Sequence, residues 1–191
     1  WAHHTVHGKR YVHYQHSFKV LLSRPQGHHP FMFMFSVIIW NVRGIGTHEK
    51  KFFLKMEARQ RNASMIVILE PKQGVDRIAF FSQKFGFGNF MHRNPLNSHI
   101  WMFWRHNISV DSLDLSAQHI LVRIRDGVLD VFFSFVYAKC EVMERMDLWQ
   151  RLSEFQAGSL PWFIGGNLNS IADASEKRGE ADLTIQGMLD F

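Results

Sequence analysis

Five polar side chains stand where apolar runs end. Asn41 closes Ser36-Val37-Ile38-Ile39-Trp40, and Glu70 follows Met65-Ile66-Val67-Ile68-Leu69. Tyr137 ends the run that opens at Val128, while Asn167 and Asn169 follow Pro161-Trp162-Phe163-Ile164-Gly165-Gly166. A carboxylate directly after five apolar residues is costly to bury without a partner. Glu70 is therefore either a solvated strand end or a metal-ligating or catalytic group. The amides and the phenol supply hydrogen-bond donors and acceptors. Ligand and catalytic groups in α/β proteins commonly sit at the carboxyl ends of strands. The pattern predicts a polar site at one rim of a sheet.

The elements that must position these residues are readable from hydrophobic periodicity. The runs before Asn41, Glu70 and Asn167 are short, apolar and rich in β-branched residues, as buried strands are. Gly165 and Gly166 read as a glycine-permitted turn at the end of the last run. Thr47 can cap a helix from His48 to about Arg61, with Phe52, Phe53, Met56 and Arg59 at helical spacing. Val75 to Lys84 reads as a short helix. Phe85-Gly86-Phe87-Gly88 lacks Gly-Lys-Ser/Thr and is a turn into a strand, not a phosphate loop. Further strands are predicted at Ser98–Trp104 and Ser109–Leu115. Two β runs flank Asp126-Gly127, a preferred central pair of a two-residue hairpin. Glu141 to Phe155 is an amphipathic helix with Val142, Met146, Trp149 and Leu152 on one face. Hairpins mixed with helix-separated strands predict a mixed α/β layered fold.

Composition bounds the rest. A chain of 191 residues with 46% hydrophobic content suits one domain with a sizeable core. The single cysteine, Cys140, excludes an intramolecular disulfide and reads as a core thiol. Residues 1–35 carry Lys9, Arg10, Lys19 and Arg24 with no acid, so most of the net charge of +5 lies there. Residues 36–191 are nearly neutral, which argues against strong electrostatic binding of nucleic acid. Residues 1–30 hold seven of the twelve histidines. His3 and His7 have helical spacing, yet no Glu completes a metal-binding pattern. Residues 1–35 are expected to be an unstructured or non-native extension, and residues 36–191 the folded domain. The longest apolar run, Phe31 to Trp40, is far shorter than the ~18–20 residues that span a bilayer. A first residue of Trp1 in place of methionine suggests a fragment.

Six segments then occur in a recognisable order. They are Trp40-Asn41-Val42-Arg43-Gly44, Ile68-Leu69-Glu70, Ile100 to Trp104, Val136-Tyr137-Ala138, Arg145-x-x-Leu148-Trp149-x-x-Leu152, and Pro161 to Asn169. Together they resemble the endonuclease/exonuclease/phosphatase superfamily, most nearly the apurinic-endonuclease-like domain of plant non-LTR (LINE-type) retrotransposons. Ser175 to Gly179 and Met188 to Phe191 are similar to the same group. The resemblance implies a four-layer sandwich of two packed mixed β-sheets flanked by helices, here lacking its last strands. It implies a Mg²⁺-dependent (or Mn²⁺-dependent) phosphodiesterase acting on DNA in the nucleus. It assigns Glu70 to the metal and places Asn41 beside it. It gives Tyr137 a contact to the phosphate or leaving group, and Asn169 a hydrogen bond to the attacking water or phosphate.

Two departures from the family pattern bear on activity. The pattern Gly-Asp-x-Asn reads Gly166-Asn167-Leu168-Asn169 here, so an amide stands where a carboxylate would activate water. General-base catalysis contributes ~10²–10⁴-fold, and most of that is expected to be lost. The family's C-terminal Ser-Asp-His motif does not occur in the sequence. A truncated, inactive nuclease domain with an uncovered sheet edge is the expectation. The alternatives are a non-catalytic remnant or nucleic-acid-binding module, and a phosphatase of the same fold.

Overall fold

The computed structural model describes residues 3–6, 9–13, 18–22, 33–92, 99–127 and 129–169. Three short strands come first: β1 (His3–Val6), β2 (Lys9–His13) and β3 (Phe18–Leu22). Then follow β4 (Phe33–Asn41), α1 (His48–Gln60) and β5 (Met65–Leu69). A 3₁₀ turn, Val75–Arg77, runs into α2 (Ile78–Phe85). The strands β6 (Asn89–His92), β7 (Ile100–Trp104), β8 (Ser109–Leu115), β9 (His119–Asp126) and β10 (Leu129–Tyr137) precede α3 (Val142–Glu154) and β11 (Trp162–Asn167).

The strands form two mixed sheets. One runs β1-β2-β11-β10-β9-β8 and the other β3-β4-β5-β7-β6. Alternation along the strands sorts the apolar side chains into three cores. Odd-numbered residues of β4, β5, β10 and β11, such as Phe35, Val67, Phe133 and Phe163, pack between the sheets. The opposite face of the second sheet packs on α1 and α2 through Ile66, Ile68, Leu54 and Phe81. The opposite face of the first packs on α3 through Val136, Ile164, Leu148 and Leu152. The order is helix, sheet, sheet, helix, the expected four-layer sandwich.

Two parallel strand pairs matter for function. β4 and β5 are parallel and joined through α1, and β10 and β11 are parallel and joined through α3. Each is a β-α-β unit, so each brings two carboxyl-terminal strand ends side by side. Asn41 sits opposite Leu69, the residue before Glu70, and Tyr137 sits opposite Asn167.

Several local expectations need correction. The segment 1–35, expected to be an unstructured or non-native extension, holds β1, β2, β3 and the start of β4. β2 pairs with β11 and β3 pairs with β4, so on that side the sheet edges fall on β1 and β3. His7 of the histidine pair lies outside the described residues. The β9–β10 register pairs Asp126 with Leu129, so Asp126 closes the ladder and the loop begins at Gly127. Gly165 and Gly166 are strand residues paired with Phe135 and Val136, not turn residues. A Cβ on Gly166 would lie 1.9 Å from the Val136 carbonyl oxygen, and its φ is +144°, so only glycine fits there.

Helix faces were misjudged more than helix positions. α1 buries Leu54 and Ala58 and leaves Phe52 and Phe53 exposed. Lys50 decides this: it lies on the Leu54 stripe at i,i+4 spacing and its ammonium is held by loop carbonyls. In α3, Arg145, Leu148 and Leu152 are buried while Met146 is exposed. Cys140 is exposed, not a core thiol. No helix among the described residues is long and apolar enough to cross a membrane.

Candidate functional site

Asn41, Tyr137 and Asn167 each continue the inward-facing row of their strand, one step past the apolar core. Tyr137 still packs against that core. Glu70 is out of phase with this row, since Leu69 before it already faces inward. Its backbone corrects the phase: Glu70 has φ +51°, a left-handed conformation that turns the chain. The Glu70 carboxylate thereby comes to face the Tyr137 phenol. Burial, and then this carboxylate, push the Tyr137 phenol up to about 12. The phenol therefore keeps its proton at neutral pH and remains a donor. One contact thus joins the ends of β5 and β10, which belong to different sheets.

The loops behind these residues are firmly held. The Lys50 ammonium donates to the carbonyls of Val42 at 2.7 Å and Gly44 at 2.9 Å. Gly44 N–H donates to the Glu70 carbonyl at 2.7 Å, and Ile45 N–H to that of Pro71 at 2.9 Å. Lys72 lays its aliphatic stem on Gly44 and places Nζ 3.7 Å from Glu70 Oε2. Glu70 N–H donates to the His99 carbonyl at 2.9 Å. The exposed His99 ring lies 5.2 Å from the Tyr137 ring, centroid to centroid.

On the β10–β11 side the amides are engaged with backbone. Asn169 N–H donates to Asn167 Oδ1 at 3.1 Å, closing an Asx turn. Asn169 Nδ2 donates to the Ala138 carbonyl at 2.5 Å. The loop after Tyr137 is braced by Gln118, whose Oε1 accepts from Lys139 N–H at 2.8 Å. Buried Arg145 adds Nη1 donors to the carbonyls of Lys139 and Cys140, at 3.1 and 2.6 Å.

Strain gathers at the same rim. Of the five non-glycine residues with positive φ among the described residues, Arg43, Glu70, Lys72 and Asn169 lie in its loops and Asn62 lies elsewhere. Such conformations cost of order 1 kcal/mol or more each and cluster where surroundings over-determine them.

The donor set can be tested against a cation. Asn41 Oδ1 is buried with no hydrogen-bond partner. Left unpaired, such an atom costs ~1–3 kcal/mol. Together with the Glu70 carboxylate it offers hard oxygen donors at adjacent strand ends. Mg²⁺ takes one or two carboxylates and keeps several waters, so this set fits it. Among the described residues no group of three His, Cys, Asp or Glu side chains could hold a metal. A multidentate cage is therefore not part of the rim as described.

Sequence reading missed Lys50, His99 and Gln118 and gave Arg145 only as part of a spacing motif; His99 and Gln118 act across long sequence separations, whereas Lys50 and Arg145 reach nearby loop carbonyls. A second polar chain links Ser116 Oγ to His119 Nδ1 at 2.7 Å and His119 Nε2 to Asp114 Oδ2 at 3.3 Å. Ser116 Oγ is buried and accepts the N–H groups of Gln118 and His119, each at 3.1 Å. It caps the β8–β9 turn and is not placed as a nucleophile.

No protein-family model matches this chain, and no curated protein matches its sequence. Solved structures do match its fold. The endonuclease domain of TRAS1, a telomere-specific non-LTR retrotransposon, aligns with TM-score 0.55 and 16% identity, covering 72% of this chain and 62% of that one. TDP2 from C. elegans aligns with TM-score 0.54 and 15% identity, covering 76% of this chain and 50% of that one. The chain thus spans between half and two thirds of the length of these structures. At such identities the likeness is one of fold.

Proposed function

We propose that this rim is a divalent-metal-assisted phosphodiesterase site of the endonuclease/exonuclease/phosphatase type, with DNA as substrate and with activity held low by Asn167. The observation that carries the reading is the buried Asn41 Oδ1, which has no hydrogen-bond partner among the described residues and stands at the strand end beside Glu70. The shared fold with a retrotransposon endonuclease domain supports the same reading. The domain would span 36–191, with 1–35 an added segment that lends edge strands.

In this reading Glu70 and Asn41 would hold Mg²⁺ or Mn²⁺, which would supply Lewis-acid polarisation of phosphoryl oxygens. Tyr137 keeps its proton, orients Glu70 and bounds the pocket where the phosphate or leaving group lies. Asn169, anchored to Ala138 through Nδ2, keeps Oδ1 to accept from water and the second Nδ2 hydrogen to donate to phosphate. Asn167 cannot take a proton from the attacking water. Its one acceptor atom is also occupied by the Asn169 N–H.

Plasmid nicking in Mg²⁺ tests the reading. The unmodified chain is expected to be inactive. Asn167→Asp, joined to a C-terminal extension bearing the Ser-Asp-His strand, is expected to nick, and Glu70→Ala in that background to abolish it. Nicking that survives Glu70→Ala would sink the assignment.

A further inference from the structure

The Asn167 carboxamide is fixed in orientation by its own turn. The Asn169 N–H needs an acceptor, so the atom facing it at 3.1 Å is Oδ1. The group is planar, so Nδ2 faces away from the turn. It is a donor with no acceptor capacity, and no described residue accepts from it. Asn167 is half-buried and lies opposite Tyr137 in the parallel ladder. A carboxylate there would repel a phosphate oxygen, whereas this amide can donate to one.

The charges around the rim favour the same ligand. The Glu70 carboxylate is 15% exposed and is faced by the Lys72 ammonium, whose side chain is 64% exposed. Arg43, also exposed, lies in the adjoining loop, whose Gly44 is bonded to Glu70. The loops after β4 and β5, from Asn41 to Gly46 and from Glu70 to Gly74, carry two cations and one anion. Asn167 adds no negative charge to that balance.

We propose that Asn167 makes this rim a phosphate-holding site that retains a phosphodiester group of DNA intact and without a divalent cation. The proposal rests on reading the rim as a phosphoester site. Asn167 Nδ2 donates to a non-bridging phosphate oxygen, and Lys72 and Arg43 supply the positive field. With so few cations involved, affinity is modest and its salt dependence shallow.

The test is an NMR titration of ¹⁵N-labelled protein in EDTA. The probe is a thymidine dinucleotide with one phosphodiester, and inorganic phosphate is run in a parallel arm. The Asn167 side-chain amide pair is expected to shift and saturate with the dinucleotide. Asn167→Asp is expected to weaken binding about tenfold, the loss of one charge-assisted hydrogen bond. That variant keeps the turn acceptor, so its backbone spectrum should remain native; Asn167→Ala, checked the same way, should weaken binding too. A shift with phosphate alone would overturn DNA as the source. An unmoved amide with both probes, or Asn167→Asp binding as tightly as the parent, would overturn the proposal outright. Failure of the Mg²⁺ nicking experiment would leave this metal-free titration unaffected, so the two readings fail separately.

Discussion

The two β-α-β units reach the same rim with opposite internal bonding. In the β4-α1-β5 unit a side chain serves the backbone: Lys50 gathers the loop carbonyls, and Gly44 and Ile45 bond to the loop after β5. The candidate side chains are less committed: Asn41 Oδ1 has no partner among the described residues, and Glu70 faces the Lys72 ammonium at 3.7 Å. In the β10-α3-β11 unit the functional amides are themselves spent on backbone, Asn167 on the Asn169 N–H and Asn169 on the Ala138 carbonyl. One unit presents unsatisfied oxygen donors on a rigid frame. The other presents a fixed geometry with its acceptor atoms largely used. The first arrangement suits capture of a cation, and the second suits orientation of a bound group.

Four substitutions probe that contrast. Glu70→Ala removes the strand-end carboxylate of the open unit, and Mn²⁺ affinity measured by calorimetry is expected to fall by about 100-fold. An unchanged affinity would remove the cation from the account. Tyr137→Phe removes a partly buried phenol that faces the Glu70 carboxylate, at a cost of ~1 kcal/mol in denaturant unfolding at neutral pH. Because the folded phenol is raised from 10.0 to about 12, its contribution is full below pH 10 and is lost as pH rises toward 12. The variant should lack that loss, and an identical alkaline profile in both proteins would contradict the contact. Asn41→Leu should stabilise the fold by ~1 kcal/mol, since it relieves an unpaired buried oxygen. The same change should weaken metal binding about tenfold, so a stabilised protein with intact affinity would show the oxygen has no ligand. The smallest effect belongs to Arg123→Met. It breaks a half-exposed pair with Asp130 at 2.7 Å, far along β9 and β10, and should cost under about 1 kcal/mol. Metal affinity should not move, and a change there would undo the separation between charge pairs and rim.

Much of this was legible from local pattern, because strands advertise themselves by continuous apolar runs with a sharp end. Asn41, Glu70, Tyr137 and Asn167 could be grouped as strand-end residues, and the register does place them in two adjacent pairs. Asn169 was grouped with them, but its bond to Ala138 depends on β10 lying beside β11. Helix faces were harder to read. The Phe52 and Phe53 rings suggested an inward face, yet the loop carbonyls draw Lys50 in and rotate the helix onto Leu54 and Ala58. Arg145 was part of a spacing motif, but its burial under the Lys139 and Cys140 carbonyls is a tertiary fact. The left-handed turn at Glu70 was hidden too, because glutamate carries no preference for positive φ.

The edge strands have a consequence for the order in which the molecule is made. Arg10 of β2 lies beside Phe163 of β11, more than 150 residues along the chain. At typical synthesis rates the earlier strand waits on the order of ten seconds for its partner. The β8–β9–β10 meander, joined by neighbouring antiparallel pairs, can assemble in the meantime. Closure of β11 between β10 and β2 then completes the first sheet and sets the Asn167 turn. The rim is thus among the last features to form during synthesis, and β2 spends that interval as an unpaired edge for a chaperone to shield.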